Sequence, residues 1–562
     1  MHPGNKLTPH LSHGTFRLRP SPPPVSQPRH PPRRRQPHRR PLLLPLIPAR
    51  LLSSCLRNSI GLADEDVPAG RSRRRRLWGG IEPAAGRGAV TRAVLLLGVV
   101  ALGLWLLCRE IAVVGGGGRA ADPAIATGRK TLAQAAVGSP AAWRSREWRW
   151  AVERHAAVLG RHLADGLLVA SSSAVCLGGV HEALALRELG VVGAVAVARK
   201  RSPPLAVAGS DRHLPFPDAS VEFVFAGRAM DSSKHPADLA AEAARIVRPD
   251  GHLVVLTSGA GDAYSLRSLQ LLLPSLRLLR SREINGPDGS SLRELIFRKH
   301  AGVPTTTTAS NCTYGDHKLQ LVGLAEPLIR EEPAKPWLTL KRNVKNITYL
   351  PALAGIGFKR RYVYVDVGAR GYGSSIGGWF RKHYPKQNHT FEVFAVEADP
   401  AFHGEYATKK GVTLLPYAAW VRNETLAFEI SDGPGEKRKP GSGGRRGMGR
   451  IRPAAGGAAA ASGEVRRVPA FDLAEWLRRT ASEQDYVVMK MDVEGAEFEL
   501  IPRMLDAGAM CLVDELFLEC HYNRWQRCCP GERSPKYPNT YDDCLELFTS
   551  LRNSGVLVHQ WW

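Results

Sequence analysis

The sequence predicts two tandem doubly wound α/β domains behind a basic leader and one membrane span. Three observations carry this expectation. Short apolar runs alternate with helical stretches from about residue 143 to 300, and again from near Arg361 to the end, the rhythm of parallel sheets. An unbroken apolar run at residues 93–108 (AVLLLGVVALGLWLLC) follows a basic cluster, RSRRRR at 71–76. At 562 residues the chain has room for two or three domains that each bury a core.

Residues 1–91 form a Pro- and Arg-rich leader whose composition cannot build a packed core and reads as disordered. Residues 1–92 hold 18 Lys/Arg against 4 Asp/Glu, so more than half of the net charge of +25 sits there. The rest is mildly basic and has no interleaving of basic and stacking aromatic residues, so no nucleic-acid partner is expected. The leader is free of acids before Asp64, a pattern that also suits an organelle transit peptide.

Sixteen apolar residues span about 24 Å as a helix, slightly short of a ~30 Å hydrocarbon core. Ile111 to Val114 lengthen the run if Arg109 and Glu110 snorkel, which sets the anchor at residues 92–114. Positive charge on the N-terminal side places that side in the cytosol and the bulk of the chain in the lumen. A short span suits a thin early-secretory membrane, in the endoplasmic reticulum or Golgi. Four sequons (Asn311, Asn346, Asn388, Asn423) agree with a luminal face. So do five cysteines near the end (Cys511, Cys520, Cys528, Cys529, Cys544), some of which should pair in an oxidising compartment. Adjacent Cys528 and Cys529 lack the gap between zinc ligands, and no metal site is expected.

Residues 115–142, glycine-rich and small, read as a stem. The first domain covers residues 143–300 and opens on a helix over 143–163. Within it, LPFPDASVEFVFAGRAM (214–230) leads into AAEAARIVRPDGHLVVLTSG (240–259). Together they resemble the later half of type-11 S-adenosylmethionine methyltransferases, in which a strand and helix are followed by a turn into the fifth strand. The resemblance implies a closing antiparallel hairpin from 276–283 and 292–298. Its cofactor positions depart from the family. The first loop is Leu177-Gly178-Gly179-Val180-His181, without the staggered glycines. Where the second strand should end in an acid stand Arg199 and Lys200, and Asp211 is the remaining candidate acid. A degenerate first half, structural or partner-binding, is therefore expected, with a working enzyme of divergent pocket as the alternative.

Residues 301–350 begin with a Thr-rich stretch and read as a linker. The second domain, 351–562, is interrupted by a Gly/Ala/Arg-rich segment, 431–466, expected to be a disordered surface loop. A buried-strand pattern, Tyr362 to Val365, ends in Asp366-Val367-Gly368-Ala369-Arg370-Gly371-Tyr372-Gly373. This is the strand, glycine turn and helix of a Rossmann-like unit, whose helix N-terminus attracts an anion. Asp366, Gly368, Gly371 and Gly373 are its candidate cofactor residues. A second strand, 391–396, ends at Glu397, where an acid can accept both hydroxyls of a ribose.

Farther on, Asp485-Tyr486-Val487-Val488-Met489-Lys490-Met491-Asp492-Val493-Glu494-Gly495-Ala496-Glu497 resembles the signature of FkbM-type methyltransferases, with 468–473 in place of that family's preceding segment. The whole chain is similar to plant proteins in which an anchor and a type-11-like half precede an FkbM-like half. The resemblance implies S-adenosyl-L-methionine as cofactor and transfer of its methyl group to a hydroxyl, by two class I methyltransferase folds in tandem. Such transfer needs alignment and a base. Lys490, Asp492 and Glu494 fall at the carboxyl end of the fourth strand, where α/β crevices form. Lys490 is assigned to the cofactor, and Asp492 stands beside the methyl donor. Glu494 either orients the substrate or begins the next helix as an N-terminal acid. His521, ending the fifth strand, is the candidate base because an ordinary imidazole titrates near neutrality, with Glu519 as its rival.

The combined expectation is an anchored type II methyltransferase acting on a glycan or small-molecule hydroxyl. The alternatives are a non-catalytic membrane scaffold of two pseudo-methyltransferase halves and an organelle-imported enzyme.

Overall fold

The computed structural model describes residues 145–300, 315–431, 448–451, 463–526 and 528–561, all within one compact unit, Arg119–Trp562. The expected leader, anchor (92–114) and stem (115–142) lie outside the described residues. Among those described, no helix is long and apolar enough to cross a membrane.

The first domain opens on helix Arg146–Ala164, where the side chain of Ser145 accepts a hydrogen bond from Trp148 N. Its strands are β1 (Ala174–Cys176), β2 (Val195–Ala198), β3 (Ala206–Ala208), β4 (Val221–Gly227), β5 (Val247–Thr257), β6 (Leu276–Asn285) and β7 (Ser291–Lys299). They form one sheet in the order β3-β2-β1-β4-β5-β7-β6. β7 runs antiparallel to both β5 and β6, which is the hairpin the sequence implied. The period of two divides β4 between the faces of the sheet. Phe223 and Phe225 enter one core with Leu159 and Ile296, and Val224 and Ala226 enter the other with Leu253 and Val255.

The second domain contains β8 (Tyr362–Val367), β9 (Phe391–Val396), β10 (Thr413–Leu415), β11 (Ala418–Trp420), β12 (Glu424–Ser431), β13 (Gly449–Ile451), β14 (Gly463–Asp472), β15 (Tyr486–Met491), β16 (Glu515–Leu518) and β17 (Leu557–Gln560). Six of these make a parallel sheet, β10-β9-β8-β15-β16-β17. Buried on both faces, β8 and β15 are continuous apolar runs until their last residues. Val363, Val365, Val487 and Met489 fill one face; Tyr362, Tyr364, Tyr486 and Val488 fill the other. The chain order reverses between β8 and β15, so a crevice opens beyond their carboxyl ends.

Two sequence expectations are corrected. The segment 431–466 is not one loop. β12 extends to Ser431, β13 lies within the segment, and β14 starts at Gly463; with β11 they form a four-stranded sheet. Glycine and alanine content concealed strands whose stability comes from cross-strand pairing. Residues 432–447 and 452–462 lie outside the described residues. Nor is 301–350 simply a linker: Leu321, Ile347 and Leu350 are buried in the second domain's core, and Lys318 pairs with Asp514. Residues 301–314 are outside the description.

The two sheets share their packing. Phe358 is buried in the first domain's core beside Leu269 and Leu273, while Tyr264 of the first domain is buried with Leu350, Ile356 and Tyr486. The ammonium of Lys359 lies 4.9 Å from the Tyr264 ring centroid and 3.6 Å from Asp514 Oδ1.

Deep under β17, His559 bridges Glu326 Oε1 (2.8 Å) and Glu515 Oε1 (3.0 Å), and Glu515 also accepts from Leu350 N and the Tyr384 hydroxyl. Burial pushes the imidazole pKa down, but the bonds to both carboxylates outweigh it and hold it up at about 9. The raised value means that this contribution to stability is complete below the ordinary value near ~6.5 and is lost as pH rises through about 9. His559→Leu leaves buried Glu515 without its cation and Glu326 with Arg552 alone, at 3.8 Å, and should cost about 3–5 kcal/mol in chemical denaturation. The alkaline loss of stability should also be shallower in that variant than in the wild type.

Candidate active site

β8 ends in the buried carboxylate of Asp366, and the chain turns at Gly368 with φ 81°. A Cβ at Gly368 would overlap the backbone carbonyl of Asp492, so the turn lets β8 and the segment after β15 close on each other. The register places Lys490 directly beside Asp366. Its Nζ lies 3.8 Å from Asp366 Oδ1 and 3.3 Å from Asp492 Oδ2. Burial pushes the lysine's pKa down, but Asp492 and Asp366 reverse the effect and raise it. Burial also raises Asp366, whereas for Asp492 Lys490 and His521 overcome burial and hold the carboxyl below its usual range. The Ser375 hydroxyl donates to Asp366.

Above this cluster lies a cavity of about 250 Å³, partly open to solvent. One side is the end of the six-stranded sheet, with Gly368, Glu397, Lys490, Asp492, Glu494 and Glu519. The other is the four-stranded sheet and its approaches, with Tyr417, Phe428, Gly449 and Ile451. Arg450 fastens that sheet down: its guanidinium pairs with Glu429 and donates to the carbonyl of Lys536.

Glu397 is held by the backbone. Its Oε2 accepts from Arg370 N (2.5 Å) and its Oε1 from Asp399 N (2.6 Å). Burial pushes its carboxyl up to about 7 against the lowering effect of those amides. Each oxygen retains a lone pair for a ligand hydroxyl.

The sequence candidates separate into three groups. Gly368, Glu397, Lys490, Asp492 and Glu494 line the cavity. Asp366, Gly371 and Gly373 do not; Asp366 is buried behind the wall, where it positions Lys490 and Ser375. His521 is also behind the wall, and its expected role as a neutral base is corrected. Its Nδ1 lies 3.1 Å from Glu497 Oε1, and its Nε2 faces Asp492, Glu519 and Glu494 at 3.6, 3.9 and 4.0 Å. Burial lowers its pKa, but those acids, Glu497 foremost, carry it up to about 10, so the ring holds its proton near neutrality. Glu519, the rival, lines the cavity, and burial beside Asp492 pushes its carboxyl up to about 8.

Glu494 does not start the following helix, which runs Glu497–Asp506. It has φ 52°, and its carboxylate accepts from Lys536 Nζ (2.6 Å) and the Tyr537 hydroxyl. The sequence reading gave no role to Glu497, whose side chain accepts from the backbone amides of His521 (2.5 Å) and Gly495 (3.0 Å). It stands in the same motif as Asp492, and that was its one available signal. Lys536 and Tyr537 arrive from a loop with no motif. No metal site was expected, yet among the described residues Asp492, Glu494 and His521 bring ligand atoms within 4.8 Å of one another.

The first domain has a cleft at the corresponding place, of about 400 Å³. There Glu182 turns back on the glycine loop: its Oε2 accepts from Gly178 N (3.0 Å), and a Cβ at Gly178 or Gly227 would overlap its carboxylate. This carboxylate takes the position that a helix N-terminus offers to an anionic ligand. Burial pushes it up to about 8 despite the amide bonds. Arg199 and Lys200 are exposed, and Asp211 accepts from Ser233 Oγ (2.6 Å) outside the cleft.

Comparison with known proteins locates two similarities. Residues 190–255 match the family described as Methyltransferase domain, and residues 322–427 and 457–562 match a Domain of unknown function (DUF7870). No curated protein matches the chain. Similar solved structures include a putative sarcosine dimethylglycine methyltransferase from Galdieria sulphuraria, at 16% identity over 27% of this chain and 87% of that one, TM-score 0.22. Others are a SAM dependent methyltransferase from Aquifex aeolicus, at 14% over 25% and 88%, TM-score 0.21, and the Burkholderia thailandensis 1,6-didemethyltoxoflavin-N1-methyltransferase with bound 1,6-didemethyltoxoflavin and S-adenosylhomocysteine, at 16% over 33% and 93%, TM-score 0.22. The chain thus carries a methyltransferase-type α/β domain, for which S-adenosylmethionine is the cofactor. The matched range begins after the glycine loop that Glu182 fills. In the second cleft an acid, Glu397, is held at the sheet edge with open space before it; in the first, Glu182 turns onto the glycine loop.

Gly368→Ala should cost at least ~1–3 kcal/mol from its positive φ alone, with the collision at Asp492 added. A lowered thermal midpoint together with loss of ligand binding in the cavity is the expected result.

Proposed function

We propose that this protein is an S-adenosylmethionine-dependent O-methyltransferase of FkbM type that works in its second domain, with a glycan or small-molecule hydroxyl as acceptor. The observation that carries this reading is Glu397, fixed by two backbone amides at the rim of a cavity whose floor holds Lys490 and Asp492. The cofactor supplies an electrophilic methyl group on a sulfonium centre. Glu397 holds a ribose through its hydroxyls. Lys490 stands between Asp366 and Asp492 and helps hold the Asp492 carboxyl below its usual range, and Asp492 presents a carboxylate to the positive end of the cofactor. Glu519, in the same wall, receives the acceptor's proton when it is ionised, a state that gains population as pH rises toward about 8. The apolar face made by Phe428 and Ile451 excludes water from the reacting atoms.

The first domain, by this reading, binds no cofactor and serves as a structural partner, because the Glu182 side chain occupies the amides of its glycine loop. Titration calorimetry of S-adenosylmethionine into the full-length protein should therefore give one equivalent per chain. Glu397→Ala should weaken binding by ~1.5–3 kcal/mol, the loss of charge-assisted hydrogen bonds to a diol. Absence of binding by the folded protein would overturn the enzyme reading.

We further propose a luminal, type II orientation. The disulfide Cys520–Cys544 (Cα–Cα 6.0 Å) and the pair Cys528–Cys529 suit an oxidising compartment, and the sequons at Asn346, Asn388 and Asn423 are exposed. Protein from a secretory host should lose mass on treatment with an N-glycosidase; an unchanged mass would count against this orientation and favour import into another organelle.

A further inference from the structure

The geometry points to a divalent-cation site in the wall of the second cleft, made by His521 Nε2 with the carboxylates of Asp492 and Glu494, and suited to Mn²⁺. The ligand atoms of these three residues lie within 4.8 Å of one another, slightly wider than the ~4.2 Å between opposite ligands at ~2.1 Å from an ion. Donors at right angles on the ion are ~3.0 Å apart, so the 3.6 and 4.0 Å from His521 Nε2 to Asp492 and Glu494 contract by about 0.6–1 Å on binding.

Two features set this group apart from an ordinary acidic cluster. The first is the state of its polar atoms. His521 is 95% buried, and its Nε2 makes no hydrogen bond although three carboxylates face it at 3.6–4.0 Å. Asp492 Oδ1 is buried without a hydrogen bond as well, its partner Lys490 being on the other oxygen. The second is the support behind the histidine. Glu497 is fully buried, takes the backbone amide of His521 at 2.5 Å, and lies 3.1 Å from Nδ1. A carboxylate on one imidazole nitrogen fixes the ring and directs the lone pair of the other nitrogen outward, the arrangement that orients metal-binding histidines. Once the Nε2 proton is displaced, that lone pair is directed at Asp492 and Glu494. An ion so bound replaces the proton that the neighbouring acids otherwise keep on the ring.

One imidazole and two carboxylates, with no thiolate, select a hard to borderline ion over a soft one. Since Asp492 and Glu494 also line the cavity, the ion's remaining positions face the acceptor. The catalytic use of the site rests on the methyl-transfer reading. An acceptor hydroxyl on the ion is acidified. Its proton passes to Glu519, its oxygen forms the bond to the methyl carbon, and the carbon–sulfur bond breaks with its electron pair going to sulfur.

The test is Mn²⁺ binding to the purified full-length protein, stripped with a chelator, followed by electron paramagnetic resonance and by calorimetry. One Mn²⁺ per chain is expected, with nitrogen modulation from one imidazole in the electron spin-echo spectrum of the wild type. His521→Gln should remove that modulation, and Asp492→Asn should weaken binding at least tenfold. Because the nitrogen signal is read in the wild type, the proposal stays testable even if a variant fails to fold. No saturable Mn²⁺, or bound Mn²⁺ without a nitrogen ligand, overturns it. Titration of S-adenosylmethionine in the presence of chelator separates the two readings: cofactor binding without Mn²⁺ binding sinks the metal site alone, and Mn²⁺ binding without cofactor binding leaves the metal site while removing its proposed catalytic use.

Discussion

Lys490 stands at the end of β15 with carboxylates on two sides, Asp366 at 3.8 Å and Asp492 at 3.3 Å, and the acids of this cleft depend on that ammonium. Removing an ion from water costs several kcal/mol, and a pair at this depth persists when each charge answers another. The strand register makes the arrangement possible. Lys490 and Asp366 are neighbours across β8 and β15, and the turn at Gly368 brings Asp492 over both. Glu494, Glu497, Glu519 and His521 then crowd around Asp492, forming a second layer of charge that the single lysine does not neutralise.

The fold was legible wherever periodicity and burial coincide. β8 and β15 are buried on both faces and read as unbroken apolar runs; the hairpin β6–β7 followed from two alternating stretches around a glycine turn. What could not be read was structure created by distant partners. β13 is a strand because β12 lies against it, and nothing in Gly449-Arg450-Ile451 marks it as one. The stretch after residue 314 looked like a connector, since its anchoring contacts (Lys318 to Asp514, Glu326 to His559) join residues some two hundred positions apart.

In the site, backbone logic succeeded and side-chain chemistry did not. Glu397 and Lys490 fell where a strand end had to place them. His521 was read by its ordinary titration, which holds for a solvated ring; buried among carboxylates, the ring is cationic. Gly371 and Gly373 belong to the turn without facing the cavity, because a glycine's place in a loop does not reveal which side of it the ligand space lies on.

The exchange of Phe358 and Tyr264 between the two cores has a consequence for how each half tolerates change. Around Gly178 and Glu182 the first domain answers to its own packing alone, so substitutions there are judged by stability. Around Gly259, where a Cβ would press on the Phe358 ring at 3.0 Å, the same domain forms part of its neighbour's wall. One sheet therefore has a rim that concerns itself alone and a base shared with its neighbour. Change at the first is contained within the half that suffers it, and change at the second is felt in both.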